Sequence, residues 1–182
     1  VWTFTVEPYA PLIEKVLATT NAVSKEGQGP NKTTDNSGLN DDGEHSIEPA
    51  DMWLATAGGD DPVWIQYRFD TACKVQQMLI WNYNATSGPG PGAGLKDVTV
   101  EYSTDGAEWS VLKDAEIAQA SGVPDYGAHT TVALGGIVAR YIRLMVHTNW
   151  GAPGEYGLSE VRFSHVPMRA RYPQPADGET GV

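Results

Sequence analysis

The stretch Glu101-Tyr-Ser-Thr-Asp-Gly-Ala-Glu-Trp-Ser-Val-Leu112 decides the fold. Within it, Ser103-Thr-Asp-Gly106 puts a glycine where a tight turn needs positive φ, and alternating residues flank the turn, so the segment predicts a β-hairpin. The alternation recurs outward on both sides. Val63-Trp-Ile-Gln-Tyr-Arg-Phe69 sets Ile65, Tyr67 and Phe69 on one face, Val98-Thr-Val-Glu-Tyr102 does the same with Val98, Val100 and Tyr102, and Leu158-Ser-Glu-Val-Arg-Phe163 alternates again. Residues 75–81 and 139–147 are apolar over longer runs, as inner strands are. Helix-period stretches are scarce. The pattern predicts an all-β fold, an antiparallel β-sandwich.

The 182 residues carry 23 Asp and Glu against 12 Lys and Arg, a formal charge of −11. Such a surface lacks the cations that neutralise phosphates or anionic headgroups, so nucleic acid and bare anionic lipid are excluded as partners. The longest apolar run, Val138 to Val146, is broken by Arg140 and Arg143, far short of the ~20 apolar residues of a spanning helix, so membrane insertion is not expected. A lone cysteine, Cys73, forbids an intramolecular disulfide and a thiolate metal cluster, and its apolar setting predicts a small packing residue. Proline placement divides the chain. Residues 1–11 read as a leader from a preceding module, 12–166 as the compact domain and 167–182 as a Pro- and Gly-rich linker to a following one. Two long polar insertions, 20–52 and 82–94, interrupt the strands, and the first has so few apolar residues that a bound ion is its natural organiser.

Six ordered blocks carry a resemblance. They are Lys32-Thr-Thr-Asp-Asn-Ser-Gly-Leu39 leading to Met52-Trp53, Trp64 to Asp70, Met78-Leu-Ile-Trp-Asn-Tyr-Asn84, Tyr102 to Trp109, Ala139-Arg-Tyr-Ile-Arg-Leu144 and Gly157 to Phe163. Together they resemble the discoidin domain, also called the coagulation factor 5/8 C-terminal type, whose bacterial members include the family 32 carbohydrate-binding modules. The resemblance implies a discoidin jelly roll over residues 12–166 with long ion-organised loops. It also implies a structural calcium held by the side chains of Asp35, Ser37 and Glu160 and by carbonyls at Lys32 and near Leu39. Calcium takes six to eight hard oxygens in irregular cages, which suits such a mixed set. Here Asp35-Asn-Ser-Gly38 replaces the commoner Asp-Gly-Asn pattern, which leaves open the side chain that follows Asp35 in the cage, and Asp41 and Asp42 are alternatives.

A sugar site needs an aromatic face for the apolar side of a pyranose and fixed polar groups for its hydroxyls. Trp53, Trp64 and Trp109 lie in strand-like blocks and read as packing residues, as does Trp81 at the inward end of its strand. The expected ligand loops are Tyr83-Asn84 and the segment from His147 to Tyr156, with His45 joining from the 40s loop. The expected ligand set is therefore Trp150 as the stacking ring, with Tyr83, Asn84, Asn149, His45 and Tyr156. Catalytic motifs are missing: there is no Gly-x-Ser-x-Gly elbow, no His-Glu-x-x-His and no glycine-rich phosphate loop. The reading is a non-catalytic module of a secreted or cell-surface multidomain bacterial protein that binds glycan. The alternative is an adhesion or spacer module without sugar binding, which requires Trp150 and Tyr83 to pack inward.

Overall fold

A computed structural model describes residues 11–59 and 62–166. All but Pro11 of the leader expected at 1–11, and the linker expected at 167–182, lie outside the described residues. Eight strands form among the described residues: β1 (Leu17–Thr20), β2 (Val23–Ser24), β3 (Trp53–Thr56), β4 (Trp64–Asn82), β5 (Asp97–Ser103), β6 (Ser110–Glu116), β7 (Thr130–Val146) and β8 (Glu155–His165). Single 3-10 turns at Pro30–Thr33, Pro49–Asp51 and Gly90–Ala93 each carry proline in the first positions, where its missing N–H costs no hydrogen bond.

The strands hydrogen-bond in the order β2-β3-β8-β4-β7-β5-β6, and β1 adds to β4. Strands β4 and β7 are long enough to serve both layers. Ile65 to Arg68 pair with β1, and Trp64 to Arg68 with Tyr141 to Met145 of β7, whereas Val75 to Ile80 pair with the first part of β7 and with β8. The register shifts between Arg68 and Cys73 and again between Val75 and Gln77, which is where the ribbon bends from one layer into the other. The sequence predicted two strands here, over 63–69 and 75–81. The structure joins them into one, because Asp70 and Thr71 continue the extended backbone through the bend.

Alternation places the inward residues as expected. Ile65, Tyr67, Phe69, Val98, Val100, Ile142, Leu144, Val161 and Phe163 are all buried in one cluster. Phe163 from β8 meets Tyr67 and Phe69 from the other layer, with ring centroids 5.2 and 5.1 Å away, so the two layers face each other across this contact. The β5–β6 hairpin closes as the sequence predicts: the Gly106 N–H donates to Ser103 Oγ at 2.8 Å, with Gly106 at φ 82°. Trp53 is fully buried and its Nε1–H donates to Ser24 Oγ at 3.2 Å. Trp64 and Trp109 pack on the outside of the sheet around Arg143, whose guanidinium lies 3.9 Å from the Trp109 ring and is held by Glu101 at 2.6 Å. Cys73 is half-buried at the bend opposite Ala139, and burial pushes its thiol pKa up, which disfavours the thiolate.

Phe163→Ala removes the ring that joins the layers and leaves a cavity lined by Tyr67 and Phe69. A loss of about 3 to 5 kcal/mol of unfolding free energy is expected, read by urea denaturation against the parent domain.

Candidate functional site

Three loops meet at one end of the sandwich. Loop 83–96 and loop 147–154 are zipped by backbone bonds: Trp150 N–H to Gly94 O at 3.1 Å, Ala152 N–H to Gly92 O at 3.1 Å and Lys96 N–H to Thr148 O at 2.9 Å. Asn84 Nδ2 reaches the 40s loop, donating to Ser46 O at 3.1 Å, and also donates to Val123 O at 2.8 Å, while its Oδ1 accepts the Gly122 N–H at 2.8 Å. The sequence placed these loops together, and the chain brings them together.

The expected ligand residues do not share one surface. Tyr83 and Asn84 are completely buried. Tyr83 packs with Met52, Leu54, Ala85, Ala93 and Ala152, and Gly157 opposite it has no room for a side chain, since a Cβ there would lie 2.6 Å from the ring. Asn84 spends its amide on the three loops it ties. His45 is also buried, with Nδ1 donating to Ser46 O at 3.1 Å and Nε2 without a partner, and burial holds its pKa below the ordinary 6.5. Asn149 clasps its own loop, donating to Glu155 O at 2.8 Å and accepting from the Gly151 N–H at 3.0 Å, and Tyr156 packs against the main core. Burial and committed hydrogen bonds thus correct the assignment of Tyr83, Asn84 and His45 to a sugar-facing surface. These residues build the loops instead.

Trp150 stands apart. It is half-buried, its Nε1–H donates to Ile117 O at 2.9 Å, and Lys96 Nζ sits 4.9 Å from the ring centre. An open groove of about 700 Å³, lined by Asp97, Thr99, Asp114, Glu116, His147 and Thr148, adjoins the Trp150 loop through Thr148 and its hydrogen-bond partner Ile117 through Glu116. Thr99 Oγ1 donates to Asp114 Oδ1 at 2.6 Å and lies 2.8 Å from His147 Nε2, so the imidazole presents its N–H to the threonine. An ordered chain of polar groups therefore lies in a groove that adjoins the loop of a partly exposed indole. Lys96, Asp97, Thr99 and Asp114 were not found in the sequence, because β5, β6 and the 147 loop meet only after the sheet has formed.

The expected ion site lies at the 30s loop, which is bonded to the 40s loop through Ser46 N–H to Gly38 O at 2.8 Å. Asp35 Oδ1 accepts the Ser37 N–H at 2.9 Å and contacts the Ser37 hydroxyl, and Lys32 Nζ lies 3.8 Å from Asp35 Oδ2. Asn36 at φ 60° and Gly38 at φ 77° wind the turn. Glu160 is 1% exposed, yet its Oε2 has no hydrogen-bond partner. Burial above all, together with the nearby Asp35 charge, lifts its pKa to about 8, against the pull of Arg162 and the Asn36 amide. Among the described residues no three His, Cys, Asp or Glu side chains gather tightly enough to hold a metal alone, so carbonyl oxygens must complete a cage. A buried carboxylate oxygen with no donor, facing a second carboxylate, is the environment a hard cation satisfies, and the residues fit calcium in that respect. Asp41 and Asp42 are exposed on the following turn.

In the ion-free domain Glu160 keeps its proton up to about pH 8, whereas the unfolded chain releases it near 4.5. The folded state thus binds more protons between those values, and ion-free stability falls as pH rises toward 8. His45 slopes the other way: below 6.5 the unfolded chain takes up a proton that the buried ring refuses, so stability also falls on acidification. Melting temperatures in chelator should decline from pH 6.5 to 8, and Glu160→Gln should flatten that decline while leaving the acid-side loss.

Comparison with known proteins follows the geometry. The F5/8 type C domain model matches residues 18–172. No curated protein matches the chain. Among solved structures, the family 32 module of Clostridium perfringens NanJ in complex with galactose aligns with TM-score 0.60 at 15% identity, covering 84% of this chain and 96% of that one. A family 32 module of a family 31 glycoside hydrolase bound to GalNAc gives 0.61 at 16% identity over 86% and 100% of the two chains. The family 32 module of AlyQ in complex with 4,5-unsaturated mannuronic acid gives 0.59 at 17% over 86% and 99%. At these identities the likeness establishes the β-sandwich fold, and the match of the family model over most of the chain shows that it belongs to the F5/8 type C, or discoidin, family.

Proposed function

We propose that the domain is a non-catalytic carbohydrate-binding module whose glycan lies at Trp150 and in the groove of Thr99, Asp114 and His147. The observation that carries this reading is the partly exposed indole on a loop that adjoins a groove holding an ordered Asp–Thr–His chain, a combination of ring face and directional polar groups that suits a pyranose. Structural neighbours bound to GalNAc and galactose support the ligand class. The groove's carboxylates, Asp97, Asp114 and Glu116, disfavour carboxylated sugars by like-charge repulsion and favour neutral ones. Calcium at Asp35, Ser37, Glu160 and the carbonyls of Lys32 and Leu39 meets the buried Glu160 Oε2, which has no hydrogen-bond partner, and ties the 30s loop to β8. A location outside the cell or on its surface, and flanking modules, go with this reading and rest on the sequence alone.

The full burial of Tyr83 favours a second reading, a spacer or adhesion module without sugar binding. A glycan array with the isolated domain separates the two, run with calcium and with chelator. Neutral glycans should bind weakly, because a shallow groove desolvates few atoms. Trp150→Ala should cost on the order of 1 to 3 kcal/mol of binding and lower the melting temperature only modestly, by the loss of the bond to Ile117 O. A domain that binds no glycan, or a Trp150→Ala variant that loses stability instead of affinity, returns the spacer reading. Calcium at a hundredfold excess over its Kd should add about 2.7 kcal/mol of stability, visible as a raised melting temperature.

A further inference from the structure

Only three ion pairs between side chains occur among the described residues, and two of them flank the proposed ion site. Lys32 lies 3.8 Å from Asp35, and Arg162 Nε lies 3.7 Å from Glu160 Oε1. Each of the two carboxylates that would hold the ion therefore already has a cation of its own. The Arg162 pair is the unusual one, since its acidic partner is 1% exposed while the arginine side chain is 30% exposed. Arg162 Nη2 also donates to Asn36 Oδ1 at 2.6 Å, so one side chain on β8 clasps the turn between Asp35 and Ser37 from 126 positions away. Its guanidinium lies 5.7 Å from the ring centre of Trp81, which is itself fixed by a 2.9 Å bond from Nε1–H to Gly43 O.

We propose that Arg162 is an internal stand-in for the cation beside Glu160, and that its charge sets how tightly the domain holds calcium. The proposal rests on the calcium reading above. The clasp spans the gap an ion would span, from the 30s loop to β8. With the ion absent, Arg162 keeps the loop docked through Asn36 and is the one cationic side chain within ion-pair distance of Glu160 among the described residues. With the ion present, the same guanidinium faces a divalent charge. It must either stay at the cost of repulsion or swing into solvent and give up Asn36. In both cases Arg162 stabilises the ion-free domain more than the ion-bound one, and by linkage its removal must raise affinity for the ion.

The test is calorimetric titration of the purified chain with calcium chloride, paired with thermal melts in chelator and in saturating calcium, for the parent, Arg162→Gln and Arg162→Lys. Arg162→Gln should bind calcium on the order of tenfold more tightly, a modest factor because the arginine head is partly solvated. It should melt lower than the parent in chelator and alongside the parent in calcium. Arg162→Lys keeps the charge and should stay within about twofold of the parent affinity. A parent chain that gives no calcium heat overturns both the calcium site and this inference. A parent that binds, with Arg162→Gln unchanged or weaker in affinity or equally destabilised in both conditions, leaves the calcium site standing and overturns the role of Arg162.

Discussion

The pairing of β4 with β7 runs through both layers, and the rest of the molecule is arranged by it. One end of this ribbon joins β1 and β5, the other joins β8, and the register shifts after Arg68 set the angle between them. With strands shared, the layers cannot slide past each other without breaking ladder bonds, so the loops at the sandwich end are carried on a fixed frame. The frame delivers Asn82 and Asn84 to the end of β4, where they tie Leu95, Ala118, Val123 and the 40s loop to it. Those buried amides do for the loops what apolar packing does for the strands. Each donor and acceptor is met, so the polar side chains cost little to bury and specify one arrangement.

Charge is distributed by a different logic. A chain of net charge −11 leaves most carboxylates in solvent, where they repel weakly and need no partner. Glu160 is the exception. It sits on β8 directly opposite Trp81 of β4 and is closed over by the 30s loop. Water is excluded, the carboxylate keeps an unmet oxygen, and the nearby groups are a second carboxylate and one arginine. The 30s loop has almost no apolar residues to hold it down, so electrostatics at this one position does much of the work of docking it.

The strand faces were legible because period-two alternation needs only one buried side. Ile65, Tyr67 and Phe69, or Val98 and Val100, announce themselves. The continuity of β4 was not legible, since Asp70-Thr71 has the composition of a turn and becomes strand only because β7 bends with it. Tyr83 misled for a related reason: an amphipathic ring at a strand end suits a ligand face and a loop core equally. The feature that decides is the missing side chain at Gly157, which has meaning only once β8 is known to lie beneath it. Glu160 was found through its family resemblance, whereas Arg162, two residues on, carries no motif and shows itself only through the atoms it spans.

Strand β8 lies between β3 and β4, yet it is the last strand among the described residues. Trp53 waits for Leu158 and Met78 for Phe163, so two inner edges stay unpaired until nearly the whole domain has left the ribosome. Such edges invite pairing with other nascent chains, and contacts of this sequence separation form slowly. Chain order thus makes the domain's vulnerable moment a matter of synthesis, with the polar 30s loop and the acidic surface opposing aggregation until the final strand slots in and seals the sheet.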